Sequence, residues 1–250
     1  MKKSTRKLIP AFAMLLISAV MLSTASYAWF ATNNTVRASG MGVKVNSDAK
    51  YLMISTDDVD YKPAVVLEEN NTALLDLVTA DIVDQDTSKV VNWSTGISTE
   101  ADDPNKESEL TPVPNPETNL SKYVLKKDFF VKLDNGSNGM LHNLEISSVT
   151  LTGTSNLKGA IRVLVVGEEN SVTTAQLFKT QVDGEGQIKA NMIEDTSANG
   201  SEFLIKDIDK TTGKKLTVYI YYDGRDDSAY ISNANALDYV YVEIAFTAVA

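Results

Sequence analysis

The sequence predicts an all-β protein whose architecture is a jelly-roll-like antiparallel β-sandwich. About eight to ten short segments alternate apolar and polar residues, the period expected of strands with one buried face. Clusters of Gly, Asn and Asp separate these segments, as turns require. Helical periodicity is weak and confined to residues 72–83. Together these features favour two packed sheets over a mixed α/β fold.

The N-terminus is predicted to be a signal-peptide helix over residues 1–28. Four basic side chains within the first seven residues precede an apolar stretch over 8–28, the arrangement of a secretory signal. The small residues Ser26 and Ala28 place the cleavage site before Trp29. An uncleaved signal anchor is the alternative, because about 20 apolar residues can span a bilayer. Signal peptidase is thus an expected partner during export, and membrane contact is expected only through the uncleaved signal.

Residues 29–250 are expected to form a single secreted β-sandwich domain. The run over 160–166 is apolar on both faces apart from Arg162, which suits a central strand covered on each side. The last segment is the clearest strand, since Val242, Ile244 and Phe246 alternate with more polar neighbours. The predicted strands lie within 36–45 and at 52–55, 124–133, 144–151, 160–166, 202–208, 216–222 and 239–248.

Residues 84–121 break the pattern of alternation. They contain four of the six prolines, Pro104, Pro112, Pro114 and Pro116. Because proline lacks an N–H donor and fixes φ, this stretch cannot be a central strand. We expect a long irregular surface insertion, and a binding loop is the alternative.

Composition excludes several classes of function. The chain has no cysteine, one histidine (His142) and a net charge of −10, so thiolate chemistry and two-histidine zinc motifs are ruled out. The negative charge also argues against nucleic acid and anionic membranes as partners. Cleavage after Ala28 would remove four positive charges and no negative ones, which changes the net charge from −10 to −14.

Acidic loops at 57–60, 183–185 and 223–227 have the oxygen ligands that calcium uses. Asp and Gly are equally the residues that turns require, so solvated turns are the favoured interpretation, and no metal-ligating residue is assigned. His142 has no nucleophile motif such as G-x-S-x-G to accompany it. We therefore expect no catalytic residue and no enzymatic activity.

Tyrosines line the predicted last strands at Tyr219, Tyr221, Tyr239 and Tyr241. Such a stripe either presents an aromatic surface to a partner or stabilises an exposed sheet face through cross-strand pairs. The second interpretation is favoured.

Several short strings resemble a known family. Ser-Tyr-Ala-Trp-Phe at 26–30, with Gly-Met-Gly-Val-Lys-Val at 40–45, is similar to the T-x-A-x-F region of Gram-positive proteins processed by the signal peptidase SipW, the TasA/camelysin family. Residues 126–136 and 219–227 extend the resemblance. The family pattern has a cysteine where this chain has Tyr230, so any role of that thiol is absent.

The resemblance implies a structural protein of the cell surface or biofilm matrix that assembles into fibres by donor-strand complementation. Its partner would be a second copy or a related fibre subunit. The β-prone segment 29–45 would add to an open sheet edge of the next subunit, with Gly40 and Gly42 as a hinge. The candidate donor residues are Trp29, Phe30, Val36, Met41, Val43 and Val45.

Two other functions stay open. One is a monomeric exported sandwich that binds glycan or protein at the cell surface, with the proline-rich insertion as its binding element. The other is the metallopeptidase activity with which camelysin relatives are labelled. A single histidine and no cysteine leave only a carboxylate-rich site, which is unusual for zinc.

Overall fold

Strands make up nearly all of the regular secondary structure in the described part of the chain, which confirms the predicted all-β sandwich. The computed structural model describes residues 35–37, 41–47, 52–69, 74–95, 110–137, 139–153, 158–181, 183–184, 188–226 and 240–249. Within them the strands are β1 (Thr35–Arg37), β2 (Met41–Ser47), β3 (Leu52–Ser55), β4 (Ala64–Glu69), β5 (Leu74–Asp76), β6 (Val78–Gln85), β7 (Ser88–Thr95), β8 (Thr111–Pro112), β9 (Val124–Leu133), β10 (Leu141–Gly153), β11 (Ile161–Glu169), β12 (Val172–Lys179), β13 (Ile193–Glu194), β14 (Ile205–Ile208), β15 (Lys214–Tyr222) and β16 (Val240–Val249).

Two sheets enclose the main core. One has five strands in the order β14-β10-β16-β2-β4, and the other has six in the order β13-β12-β11-β15-β9-β3. Every neighbouring pair is antiparallel except β2 and β16, which run parallel. Parallel neighbours need a long connection, and these two strands come from opposite ends of the described chain. Fully buried Val45, Ile244 and Phe246 of one sheet belong to the same cluster as Phe129 and Val218 of the other.

The strand β11 is covered on both faces, as its unbroken apolar run predicts. All of its residues from Ile161 to Gly167 are buried. Val163 and Val165 belong to the main core, whereas Leu164 and Val166 belong to a second cluster on the outer face of the six-stranded sheet. An apolar residue at every position is therefore needed, because both sides of the strand are packed.

A three-stranded sheet in the order β6-β7-β8 contributes to this second cluster. Its hairpin turns at Asp86, whose φ of 55° lies in the left-handed region. The hairpin between β11 and β12 turns at Asn170 and Ser171, with φ of 51° and 67°. Positive φ at both central residues is the signature of a type I′ turn, whose twist matches the flanking strands.

Two sequence-based expectations need correction in this region. The helix expected over 72–83 is wrong, because that stretch contains β5 and most of β6. The residues of β6 pair one by one with those of β7, from Val78 opposite Thr95 to Gln85 opposite Ser88, which is strand geometry. The insertion expected over 84–121 is also shorter than predicted, since its first part, up to Thr95, completes β6 and forms β7.

The proline-rich end of the predicted insertion forms short regular elements in which Pro112 and Pro116 occupy tolerated positions. Pro112 lies in β8, at the edge of its sheet, where a missing N–H donor is tolerated. Pro116 opens the four-residue helix α1 (Pro116–Asn119), a position that suits its fixed φ. A 3₁₀ turn (Leu120–Lys122) follows, and Leu120 is buried in the second cluster. A further 3₁₀ turn (Lys158–Ala160) precedes β11.

The predicted signal-peptide helix lies outside the described residues, as do Ser26, Ala28, Trp29 and Phe30. In the described ranges, no helix has both the length and the apolar character that crossing a membrane requires.

Candidate functional site

The expected donor residues that the structure describes lie in two ladders. Val36 of β1 pairs with Leu75 of β5. Met41, Val43 and Val45 belong to β2, which is paired with β16 on one side and with β4 on the other. Val43 and Val45 are 1% and 0% exposed. A strand bonded on both sides has no free edge, so residues 41–45 would have to leave their own sheet before they could complement a neighbour.

The predicted hinge at Gly40 and Gly42 is also constrained by the pairing of β2. Gly42 lies inside β2, opposite Tyr241 of β16 and Glu68 of β4, and Gly40 lies outside the described residues. Swinging out at Gly42 would break both ladders of β2. Any segment donated from this end of the chain must therefore precede Met41.

The strand β4 is an edge strand of the five-stranded sheet. It pairs with β2 through its inner edge, and no strand pairs with its outer edge within the described ranges. Val65 packs against the main core, while Val66 is 49% exposed. An edge strand with free backbone donors and acceptors is a template for another strand.

The opposite edge of the same sheet is capped. The backbone N–H of Lys206, on β14, donates a hydrogen bond of 2.8 Å to the carboxylate of Glu169. The other oxygen of Glu169 accepts one of 3.0 Å from the Lys214 ammonium. This carboxylate takes a position that an added strand would need.

In the six-stranded sheet, the edge strand β3 is also partly closed. Ile54 and Lys62 exchange two backbone hydrogen bonds of 2.7 and 2.8 Å, so the chain after β3 folds back along its outer edge. At the other edge lies β13, which has only two residues. Among the edge strands of these two sheets, β4 is thus the longest with no cap in the described residues.

Two of the acidic loops make hydrogen bonds or ion pairs that connect parts of the fold. Hydrogen bonds from the Asp60 N–H, the Ser55 hydroxyl and the Val59 N–H lower the pKa of Asp57 to about 2. The Asp57 carboxylate thereby closes the turn after β3, as Asp does in Asx turns. Asp183 and Gly184 are described, whereas residue 185 is not.

Residues 223–226 connect the β6–β7 hairpin to the six-stranded sheet. The buried guanidinium of Arg162 lies 3.3 Å from Asp223 and 2.8 Å from Asp226. Arg225 forms a two-pronged pair of 2.6 and 3.1 Å with Asp81 of β6. The described residues include no group of three or more His, Cys, Asp or Glu side chains that could hold a metal ion.

His142 forms a cross-strand pair. Its Nδ1 lies 2.7 Å from the Asp207 carboxylate, and both side chains are about half exposed. Their strands, β10 and β14, are neighbours in register at these residues, so the contact is an ordinary result of strand pairing.

The predicted tyrosine stripe is divided between the two sheets. Tyr219 and Tyr221 lie on β15, whereas Tyr241 lies on β16, and Tyr239 is outside the described residues. Tyr221 is only 1% exposed. The stripe is therefore not a single exposed surface, and Tyr221 belongs to the second hydrophobic cluster.

Trp93 of β7 organises an aromatic cluster with both tyrosines of β15. Its ring centroid lies 5.4 Å from that of Tyr219 in a tilted arrangement and 5.2 Å from that of Tyr221 nearly edge-on. These are favourable geometries for aromatic pairs. The sequence did not single out Trp93, because its partners lie on a distant strand, and the only available signal was its place among the alternating residues of 88–95.

A groove of about 420 Å³ opens beside this cluster. We call it the aromatic groove and define it by six of its lining residues: Trp93, Glu117, Leu120, Ser121, Lys126 and Tyr219. Lys126 faces Tyr219 across β9 and β15, with its Nζ 5.8 Å from the ring centroid. Burial, then the charges of Asp128 and Glu168, raise the pKa of Tyr219 to about 12, so its hydroxyl is protonated at neutral pH.

No protein-family model, curated protein or solved structure matches this chain.

Proposed function

We propose that this is an exported structural protein of the cell surface or biofilm matrix that assembles into fibres by strand addition. The observation that carries the proposal is the outer edge of β4, which no described strand pairs with, in a sheet whose other edge is capped by Glu169. An open edge accepts a strand from another chain, with main-chain hydrogen bonds as the driving force. When one surface of a subunit contacts a different surface of the next subunit, the contact can repeat along an open filament without closing into a ring.

The donor in this proposal is the segment 29–40, immediately upstream of β2. Its residues Thr35–Arg37 form β1, so they would have to leave their ladder with β5 before pairing with another subunit. Residues 41–47 already complete their own sheet between β16 and β4, so they stay in place. The segment 29–40 has one charged residue, Arg37, and no acid, which suits addition to a strand that ends in Glu68 and Glu69. Its aromatic residues, Trp29 and Phe30, supply apolar side chains for pockets on the acceptor.

The order of events depends on export. Before cleavage, residues 29–40 are joined to the predicted signal peptide, which holds them at the membrane. Cleavage after Ala28 would free them, so proteolysis acts as the switch for assembly. The released chain has a net charge of −14, and strand pairing must overcome the resulting repulsion between subunits. Added salt screens that repulsion and should promote assembly.

The deletion of residues 29–39 tests this function. The exported wild-type protein and the deletion variant are incubated at equal concentration, at low and at high salt, and imaged by negative-stain electron microscopy. We expect filaments from the wild type and dispersed particles from the variant. Because the deletion also removes β1 and its ladder with β5, the control for folding is a retained β-sheet circular dichroism spectrum with a cooperative thermal unfolding transition. Filaments of unchanged abundance from the variant would rule out this segment as the donor.

A surface-binding function is the second candidate, and the aromatic groove is the observation that favours it. In that case the exported sandwich is a monomeric binder, and the proline-rich residues that form α1 contribute one wall of the groove. Size-exclusion chromatography at rising protein concentration separates the two functions, because a binder elutes as a monomer throughout whereas a fibre subunit shifts to larger species.

A further inference from the structure

We propose that the aromatic groove binds a neutral oligosaccharide. The proposal is independent of strand addition, because the groove lies on β7, β9 and β15, whereas the open edge is that of β4 in the five-stranded sheet. One protein can therefore carry both properties, and each is tested separately.

The size and lining of the groove suit a sugar. Its volume of about 420 Å³ lies at the lower end of the range of ligand pockets, about 300–1,000 Å³. Apolar Trp93, Leu120 and Tyr219 share the lining with polar Glu117, Ser121 and Lys126. A pyranose ring has the same dual character, since its C–H groups form apolar faces and its hydroxyls surround the rim.

Tyr219 is the central contact in this proposal. Its ring is partly exposed, in contrast to the buried Trp93 and Tyr221 that pack beside it. Aromatic side chains of this kind offer an apolar face together with a polar tip. The Tyr219 hydroxyl makes no hydrogen bond to another described residue, so it is available to donate one to a sugar oxygen.

The charges of the groove and of the whole chain further limit the class of ligand. Glu117 and Lys126 bring one charge of each sign to the lining, and the chain as a whole is strongly negative. A polyanionic glycan would be repelled by that net charge. A purely apolar ligand would leave the charged groups desolvated without partners, which is costly. A neutral sugar can hydrogen-bond to both charged groups.

A proline-rich peptide is the main competing occupant. Such peptides dock in grooves lined by several exposed aromatic rings. Here Trp93 is 8% exposed and contacts two tyrosines, so Tyr219 is the one ring of the cluster with appreciable exposure. A single ring suits stacking of one sugar better than the successive aromatic contacts of a polyproline helix.

The test measures binding of defined probes to the purified protein. Cellohexaose, maltohexaose, chitohexaose and a decaproline peptide are titrated by isothermal titration calorimetry. The exposed Ser121 is replaced in two ways: Ser121→Trp fills the groove with a large side chain, and Ser121→Ala is the matched control that leaves it open. Thermal unfolding of each variant shows whether the fold is retained.

We expect at least one hexasaccharide to bind. We also expect Ser121→Trp to weaken binding by at least about tenfold while Ser121→Ala changes it by less than about twofold. Tyr219→Phe, which removes only the hydroxyl, should also weaken saccharide binding. The proposal is overturned if no saccharide binds, if Ser121→Trp binds as tightly as Ser121→Ala, or if only decaproline binds.

Discussion

The Glu169 carboxylate accepts a hydrogen bond of 2.8 Å from the backbone N–H of Lys206. Glu169 is the last residue of β11 in the six-stranded sheet, whereas Lys206 lies on β14 at one edge of the five-stranded sheet. A side chain of one sheet thus caps the edge of the other. Since β4 at the opposite edge has no such cap in the described chain, the two edges of one sheet differ in their capacity to accept a strand.

Removing this cap should destabilise the fold. Glu169→Ala leaves the Lys206 N–H without its acceptor and Lys214 without its ion-pair partner at 3.0 Å. Because hydrogen bonds to a charged group contribute about 1.5–3 kcal/mol, the free energy of unfolding should fall by a comparable amount in urea denaturation. Glu169→Gln keeps a hydrogen-bond acceptor, so its free energy of unfolding should fall by less. Equal stability of Glu169→Ala and wild type would contradict the capping role.

Truncation of Trp93 should be more damaging. Trp93 is buried and packs against Tyr219 and Tyr221, so Trp93→Ala removes a large side chain from the second cluster and should lower the free energy of unfolding by about 3–5 kcal/mol. Val83→Ala is a suitable control on the same hairpin, because Val83 is exposed. If both variants unfold at the same urea concentration, the hairpin is not packed as described.

Acid should weaken the turn closed by Asp57. Its folded-state pKa of about 2 lies below the ordinary value of 3.8, so its carboxylate contributes stability that is present above about pH 4 and lost as the pH falls towards 2. The difference in melting temperature between wild type and Asp57→Asn should therefore shrink across this interval. A difference that stays constant from pH 6 to about pH 2 would show that the ionised carboxylate is not responsible.

Alkaline pH should lower the stability of the fold by ionising the tyrosines of β15. The pKa of Tyr219 is raised to about 12, chiefly by burial, and burial also raises that of Tyr221. Their neutral forms therefore favour the folded state, and this contribution is complete below pH 10 and lost as the pH rises through the folded-state pKa. Tyr219→Phe should show a smaller loss of stability between pH 10 and 12. Absorbance titration that finds Tyr219 ionising near pH 10 in the folded protein would contradict this.

The sandwich could be predicted because its strands have simple alternation. The bounds expected for 52–55 and 124–133 are those of β3 and β9. The apolar run of β11 correctly indicated burial on both faces. Such patterns are local, and each strand shows its own buried face without reference to its partners.

Features that depend on distant pairing were not predictable in the same way. The parallel pair of β2 and β16 joins opposite ends of the described chain, and no local pattern reports it. The hairpin of β6 and β7 was partly obscured by polar residues such as Asp81 and Asp84, which lowered the apparent alternation. Trp93 contacts Tyr219 and Tyr221, which are distant in sequence, so the aromatic groove could be recognised only from the folded structure.

The most direct test of strand addition is a pair of proline substitutions on β4. Consecutive residues of an antiparallel strand direct their N–H groups to opposite edges, so one of Val65→Pro and Val66→Pro removes a bond to β2 while the other removes only an outward donor. Thermal unfolding identifies the variant that keeps its fold. Val59→Thr, at an exposed loop position, is the control for substitution away from the edge, because it leaves the net charge unchanged.

Filament formation by the folded proline variant is then compared with wild type and Val59→Thr in negative-stain electron micrographs. We predict filaments from wild type and Val59→Thr and none from the folded β4 variant, because a strand cannot pair fully along an edge that lacks a donor. Filaments of normal length and abundance from that variant would contradict assembly through the β4 edge.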